Sequence, residues 1–249
     1  MSDMQPSAGG VRTVLITGAA QRVGRSIALN LGRNGWRVAV HYRSSADAAL
    51  ALVEEIAGSG GQAASFGADL ADVDQLRMLI PRCAKSLGAP SCLINNASLF
   101  AKDSLQTLDP AGWQAHMDTN LRAPVMLAQS FASSLPAGQS GHIINIIDQR
   151  VLKPAPDFFS YSASKAGLWW VTRTMAQGLA PTIRVNAVAP GPVLRSIHQT
   201  PEEFAGEQRA TLLGTGASPA DVAAAVRFLL ETPAITGQMI CVDGGQHLS

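Results

Sequence analysis

A doubly wound α/β fold, with a mostly parallel sheet and helices on both faces, is what this sequence predicts. Three observations carry it. Short apolar, β-branched runs alternate with helix-patterned segments from one end of the chain to the other. The first such run passes through a glycine-containing turn into an amphipathic helix, the opening of a βαβ unit. No repeat, low-complexity tract or linker interrupts the alternation, so residues 11–249 read as a single domain.

Taken in order, residues 11–17 (VRTVLIT) are an apolar strand, 18–24 a turn, and 25–34 an amphipathic helix ended by Gly35. Residues 36–42 (WRVAVHY) are the second strand, 46–58 an alanine-rich helix, and 62–67 a short strand closed by Ala68-Asp69-Leu70. A helix follows at 73–87, kinked or broken near Pro81. Residues 91–95 are a strand, 113–135 hold one or more helices, and 141–147 (GHIINII) are a buried strand. A long helix at 160–179 precedes the strand at 183–189, after which Pro190-Gly191-Pro192 opens a loop. Residues 193–213 are polar and loop-like and read as a closing segment over a site; there Arg195, Ile197 and His198 face either substrate or solvent. The helix at 218–230 takes Ser218 as N-cap and Pro219 as its first residue, and 238–242 is the last strand.

Composition narrows the function classes. The 249 residues are 47% hydrophobic and 15% charged, ample for one core. With 19 basic and 18 acidic residues the formal net charge is +1, which argues against a nucleic-acid surface or a polybasic membrane patch. No apolar run approaches the length of a membrane span. Residues 1–10 are polar and small, carry no signal-peptide pattern, and read as a flexible tail. Cys83, Cys92 and Cys241 lie far apart in apolar contexts, as expected of buried thiols in a cytoplasmic protein. No Cys-x-x-Cys or His-Glu-x-x-His run occurs, so no metal site is expected.

The chemistry concentrates in two places. Tyr161 and Lys165 are four residues apart, which on a helix places them on one face, one turn apart. Ammonium beside phenol favours the phenolate, so Lys165 is expected to lower the Tyr161 pKa and fit it for proton transfer. The strand before them runs out at Asp148, and a strand end facing a helix start can bring Asp148, Tyr161 and Lys165 together. An ionised Asp148 would raise the tyrosine pKa against Lys165; a protonated one would be a second donor. Both stay open, and the pair is free to titrate as a unit.

At the other place, TGAAQRVG spans Thr17 to Gly24 between a strand and a helix. Glycines there let backbone approach a pyrophosphate, and a helix N-terminus presents free N–H groups. The second strand ends His41-Tyr42-Arg43-Ser44, and no Asp or Glu occurs between Asp3 and Asp47. A guanidinium and hydroxyls suit a ribose 2′-phosphate that an acid would repel, so NADP(H) is the expected cofactor.

With these residues in hand, the chain resembles the short-chain dehydrogenase/reductase family over essentially its whole length. TGAAQRVG, Asp69-Leu70, Asn95-Asn96-Ala97, Asn120, Tyr161-x-x-x-Lys165, Asn186, Pro190-Gly191 and Asp243-Gly244-Gly245 follow the family order. The resemblance implies a Rossmann-type sheet, nicotinamide chemistry and a homotetramer. It implies cofactor contacts from Gly18, Arg22, Val23, Gly24, Asp69, Leu70, Asn96, Ala97, Ser98, Pro190 and Gly191, beside those of His41, Tyr42, Arg43 and Ser44. Tyr161 and Lys165 also touch the cofactor, Lys165 at the nicotinamide ribose, and Asn120 holds a water in a proton relay.

Arg22 stands where most members have glycine, Asp148 where most have serine, and Ser98-Leu99-Phe100 follows the alanine where glycine is common. With the ending Asp243-Gly244-Gly245-Gln246-His247-Leu248, these features look like the pteridine reductase and dihydromonapterin reductase branch. That branch implies NADPH-dependent reduction of a pterin C=N bond, with a dihydropterin such as dihydromonapterin or dihydrobiopterin as the small-molecule partner. The flat ring would stack between nicotinamide and Phe100, and Arg22 and Ser98 would bond its edge. Tyr161 would give the proton, with Asp148 positioning or donating. The alternatives are reduction of a ketone, sugar or acyl thioester, and a non-catalytic NADP-sensing protein. Trp169-Trp170 read as core or subunit-interface packing, and His116, His142 and His247, without clustered partners, as structural.

Overall fold

The computed structural model describes residues 12–249; the tail expected at 1–10, and Val11, lie outside the described residues. Its elements run β1 (Arg12–Ile16), α1 (Arg22–Arg33), β2 (Trp36–Tyr42), α2 (Ala46–Gly58), β3 (Gln62–Gly67), α3 (Val73–Leu87), β4 (Cys92–Asn95) and α4 (Pro110–Met117). A π-helical turn, Asp118–Arg122, joins α4 to α5 (Ala123–Ser134). Then come β5 (Gly141–Ile146), α6 (Phe159–Leu179), β6 (Ile183–Pro190), α7 (Pro201–Arg209), α8 (Pro219–Glu231) and β7 (Met239–Val242).

Among the described residues the strands form one sheet of seven in the order β3-β2-β1-β4-β5-β6-β7. Every pairing is parallel, so the sheet is wholly rather than mostly parallel. Parallel strands covered on both faces must be apolar on both, and the two-residue period sorts their side chains. Val14 and Ile16 turn to the layer of α1, α2 and α8, with Ile27, Leu52 and Val226. Leu15 and Leu93 turn to the layer of α3, α5 and α6, with Leu79, Phe131 and Ala176.

Four local expectations change. The first helix starts at Arg22 rather than at residue 25, so Val23 and Gly24 form its first turn and bring its amides up to the glycine loop. α3 runs unbroken through Pro81, which lies on the exposed side, where the carbonyl it cannot bond can take water. The segment at 193–213 is not all loop: α7 occupies its middle, started by a capping box between Thr200 and Glu203 with Pro201 in the first turn. Cys83 and Cys92 are buried, but Cys241 only partly.

Candidate active site

The strand order reverses between β1 and β4, and in such sheets ligands bind at the carboxyl ends of the strands beside that point. A cavity of about 890 Å³ opens there, within the range of small-molecule sites. Its lining includes Gly18, Arg22, Val23, Gly24, His41, Tyr42, Arg43, Ser44, Asp69, Leu70, Asn96, Ala97, Ser98, Pro190 and Gly191, and also Phe100, Asp148, Tyr161 and Lys165. Asn120 is not part of that wall.

The glycine loop is fixed from beneath. Gly18 has φ 61, and a Cβ on it would stand 2.9 Å from the Ala97 backbone. A Cβ on Gly24 would meet the Gly18 carbonyl at 2.4 Å. Asn96 Nδ2 donates to the Thr17 and Gly18 carbonyls at 2.9 and 3.0 Å, and the Asn96 and Ala97 amides donate to Thr17 Oγ1. The Gly18 amide donates to His41 Nδ1 at 3.0 Å, so the other ring nitrogen carries the hydrogen that bonds the Ala68 carbonyl. Burial lowers the His41 pKa to about 4. His41 therefore stitches β1, β2 and β3 together as a neutral ring and presents no charge to a phosphate.

Gln21 gives α1 no side-chain cap, which leaves the first-turn N–H groups to the cavity. Arg43 and Ser44 are exposed at its rim. Open amides, a close-approach glycine turn and a guanidinium beside a hydroxyl fit a dinucleotide carrying a 2′-phosphate. Arg22 behaves differently from expectation. Its guanidinium donates to the Leu194 and Arg195 carbonyls at 3.0 and 3.2 Å, so it ties the glycine loop to the start of the closing segment.

At the other end of the cavity β5 and α6 bring Asp148 and Tyr161 together: the tyrosine hydroxyl donates to Asp148 Oδ2 at 2.7 Å. The other carboxylate oxygen accepts from the Arg150 amide at 2.9 Å. Burial pushes the Asp148 carboxyl up. Burial, then the Asp148 charge, raises the Tyr161 phenol well above its ordinary value. This corrects the expectation that Lys165 lowers it. Lys165 Nζ turns to the Ile146 carbonyl at 2.9 Å and stands 5.7 Å from the tyrosine ring centre. Burial lowers the Lys165 pKa to about 8.

Asn120 sits in the π-helical turn, a distortion that recurs at functional sites. Its Nδ2 donates to the Leu99 carbonyl and Ser164 Oγ, and its Oδ1 accepts from the Leu99 amide and from Ser98 Oγ. The side chain is thus spent on holding the 98–99 loop, Ser98 included. That loop carries Phe100, whose ring stacks on Phe158 at 4.2 Å and 6° and meets Tyr161 edge to face at 4.7 Å.

Phe158 and Arg150 are functional candidates that sequence reading missed. Phe158 caps α6 with φ 53, a left-handed backbone uncommon for a bulky residue. The Arg150 guanidinium lies over the Phe158 ring, 5.2 Å from its centre, and pairs with Asp157 at 2.8 Å. A run of two phenylalanines just before the Tyr-x-x-x-Lys helix was the available signal. The histidines do have partners: His116 bonds Ser160, His142 bonds Asn186, and His247 bonds Asp243. All three brace the fold. Trp169 is packed against Ile147 and Leu168, whereas Trp170 is 63% exposed.

A short chain dehydrogenase family model matches residues 12–204. The structure is similar to that of FolM alternative dihydrofolate reductase 1 from Brucella canis complexed with NADP: TM-score 0.93, 44% identity, 96% of this chain and 94% of that one. Among curated relatives, the 3-oxoacyl-[acyl-carrier-protein] reductase FabG of Staphylococcus aureus is 34% identical over 95% of this chain and 98% of its own length. The 3beta-hydroxysteroid dehydrogenase 1 of Eggerthella lenta is 32% identical over 95% of this chain and 94% of its own length.

Proposed function

The chain belongs to the short-chain dehydrogenase family, and we propose that it is an NADPH-dependent reductase of a pterin ring C=N bond, acting on a dihydropterin to give the tetrahydro form. The observation that carries this reading is the buried carboxyl–phenol pair Asp148–Tyr161 beside the aromatic ring of Phe100. Reducing C=N requires a hydride at carbon and a proton at nitrogen. Reduced nicotinamide, when bound, supplies the hydride.

The chain's own residues supply the rest. Glycine-loop amides, Arg43 and Ser44 would hold the dinucleotide, the last two suiting a 2′-phosphate. Tyr161 and Asp148 form the proton store. Burial raises both, which favours the protonated form of each, and the pair delivers one proton to the ring nitrogen. Lys165, anchored on the Ile146 carbonyl, places a cation behind the tyrosine and would hold the nicotinamide ribose. Phe100 gives the flat ring a stacking surface and Asn120 holds the loop that presents it. The likeness to the Brucella enzyme named for dihydrofolate supports the same class of ring.

A second reading, reduction of a β-ketoacyl thioester or another ketone, is favoured by the relation to the Staphylococcus protein. NADPH consumption measured on dihydropterins and on a ketone and acyl-thioester panel separates the two. Turnover on dihydropterins is expected; turnover on ketones alone would sink the pterin reading. Nucleotide binding without turnover on either would point to a sensor. The same reading includes a cytoplasmic place and a role in tetrahydropterin synthesis, and a homotetramer, for which the exposed Trp170 on α6 is a candidate contact and light scattering the check.

A further inference from the structure

We propose, resting on the pterin reading above, that Glu207 selects the substituent on the ring, accepting hydroxyl hydrogens from a neutral polyol chain and repelling a chain that ends in carboxylates. Glu207 lies on α7 and lines the same cavity as Phe100 and Tyr161. Two amides hold its carboxylate: Gln199 Nε2 donates to Oε2 at 2.7 Å and Gln246 Nε2 to Oε1 at 3.0 Å. They fix its direction without neutralising it, and no Lys or Arg among the described residues pairs with it. Beside the aromatic wall, Arg150 is already taken by Asp157, and Lys102, two residues from Phe100, also lines the cavity. The lid lines the cavity with Glu203 and His198 besides, and with no Lys or Arg.

The same contact orients Gln246. With Nε2 turned toward Glu207, Oε1 is buried without a partner, 3.0 Å from where a Cβ on Gly191 would stand. Gln149, 6% exposed, sits on the short turn packed against the turn that begins at Gln246, and its Oε1 also lacks a partner. The group this corner offers to a chain in the cavity is therefore the Glu207 carboxylate, held in place but not neutralised. A chain rich in O–H donors can donate to it. A carboxylate-bearing chain meets like charge there.

The test compares kcat/KM for a dihydropterin with a trihydroxypropyl chain and for dihydrofolate, whose substituent ends in glutamate. It is run on the wild-type protein and on Glu207→Gln, each at low and high salt. The wild type should prefer the polyol pterin, and the variant should narrow that preference about tenfold, through a higher KM for the polyol and a lower KM for dihydrofolate. Added salt should narrow the wild-type preference and leave that of the variant unmoved, because only a charge effect is screened. If the variant does not fold, the salt response of the wild type decides alone. A salt-independent wild-type preference, or an unchanged ratio in the variant, overturns the proposal while leaving pterin reduction standing. Reduction of ketones and of neither pterin overturns both.

Discussion

The nucleotide half of the cavity and the substrate half differ in how far the chain has paired its own groups. Beneath the glycine loop, Thr17, His41 and Asn96 spend their polar atoms on backbone, and the charge that faces out is the rim guanidinium of Arg43. Around Tyr161 the balance is reversed. Asp148 is a buried carboxyl, Phe158 holds a left-handed backbone, and Gln149 and Gln246 leave buried oxygens without partners. The first half pairs the polar atoms beneath its loop, and its local cost is the left-handed backbone of Arg22, φ 55. The second carries several such costs, which persist because the surrounding sheet and helices over-determine them.

The largest expected effect breaks the substrate half and spares the other. Tyr161→Phe should lower kcat by about 10²–10⁴-fold, with NADPH affinity, followed by fluorescence titration, nearly unchanged. A parallel loss of NADPH binding would show that the two halves are not separable.

Acid acts on two buried histidines, His41 beneath the glycine loop and His142 at the start of β5. His41 and His142 are buried neutral, lowered to about 4 and about 3. In the unfolded chain they take up protons below their ordinary value of 6.5, while the folded chain resists. Stability present above that value is therefore lost as pH falls through the two folded values, by a few kcal/mol in all. Denaturant midpoints between neutral pH and pH about 4 measure this, and His41→Asn should flatten the slope. A variant with the wild-type slope would remove His41 from the account.

The smallest effect sharpens the comparison at its rim. Arg43→Glu should shift the kcat/KM preference from NADPH toward NADH by roughly tenfold to a hundredfold, and the shift should shrink in salt. Because Arg43 is exposed, no change in melting temperature is expected. An unaltered cofactor preference would place the 2′-phosphate elsewhere.

The nucleotide half was also the more legible. Its features are local: an apolar strand of period two, a glycine turn, a helix of period 3.6, and a strand end without acid. Each is decided within about ten residues, so β2, α2 and β3 fall where the pattern puts them. The substrate half depends on long-range partners. α7 was missed because its polar face hid a helix whose capping box, Thr200 with Glu203, was readable. Phe158 and Arg150 were missed because nothing in PAPDFFS says which ring will meet Phe100.

By its sequence alone the chain determined a parallel α/β sheet, a glycine turn between its first strand and first helix, and a tyrosine one helical turn from a lysine, because backbone period and residue type settle these locally. Only the tertiary structure decided the sign of the tyrosine shift. Whether Lys165 or Asp148 governs Tyr161 depends on where Nζ points, and it points to Ile146. The same holds for Glu207 and Gln246, 39 residues apart. Desolvation and hydrogen-bond direction are properties of the packed site, and no spacing in the chain encodes them.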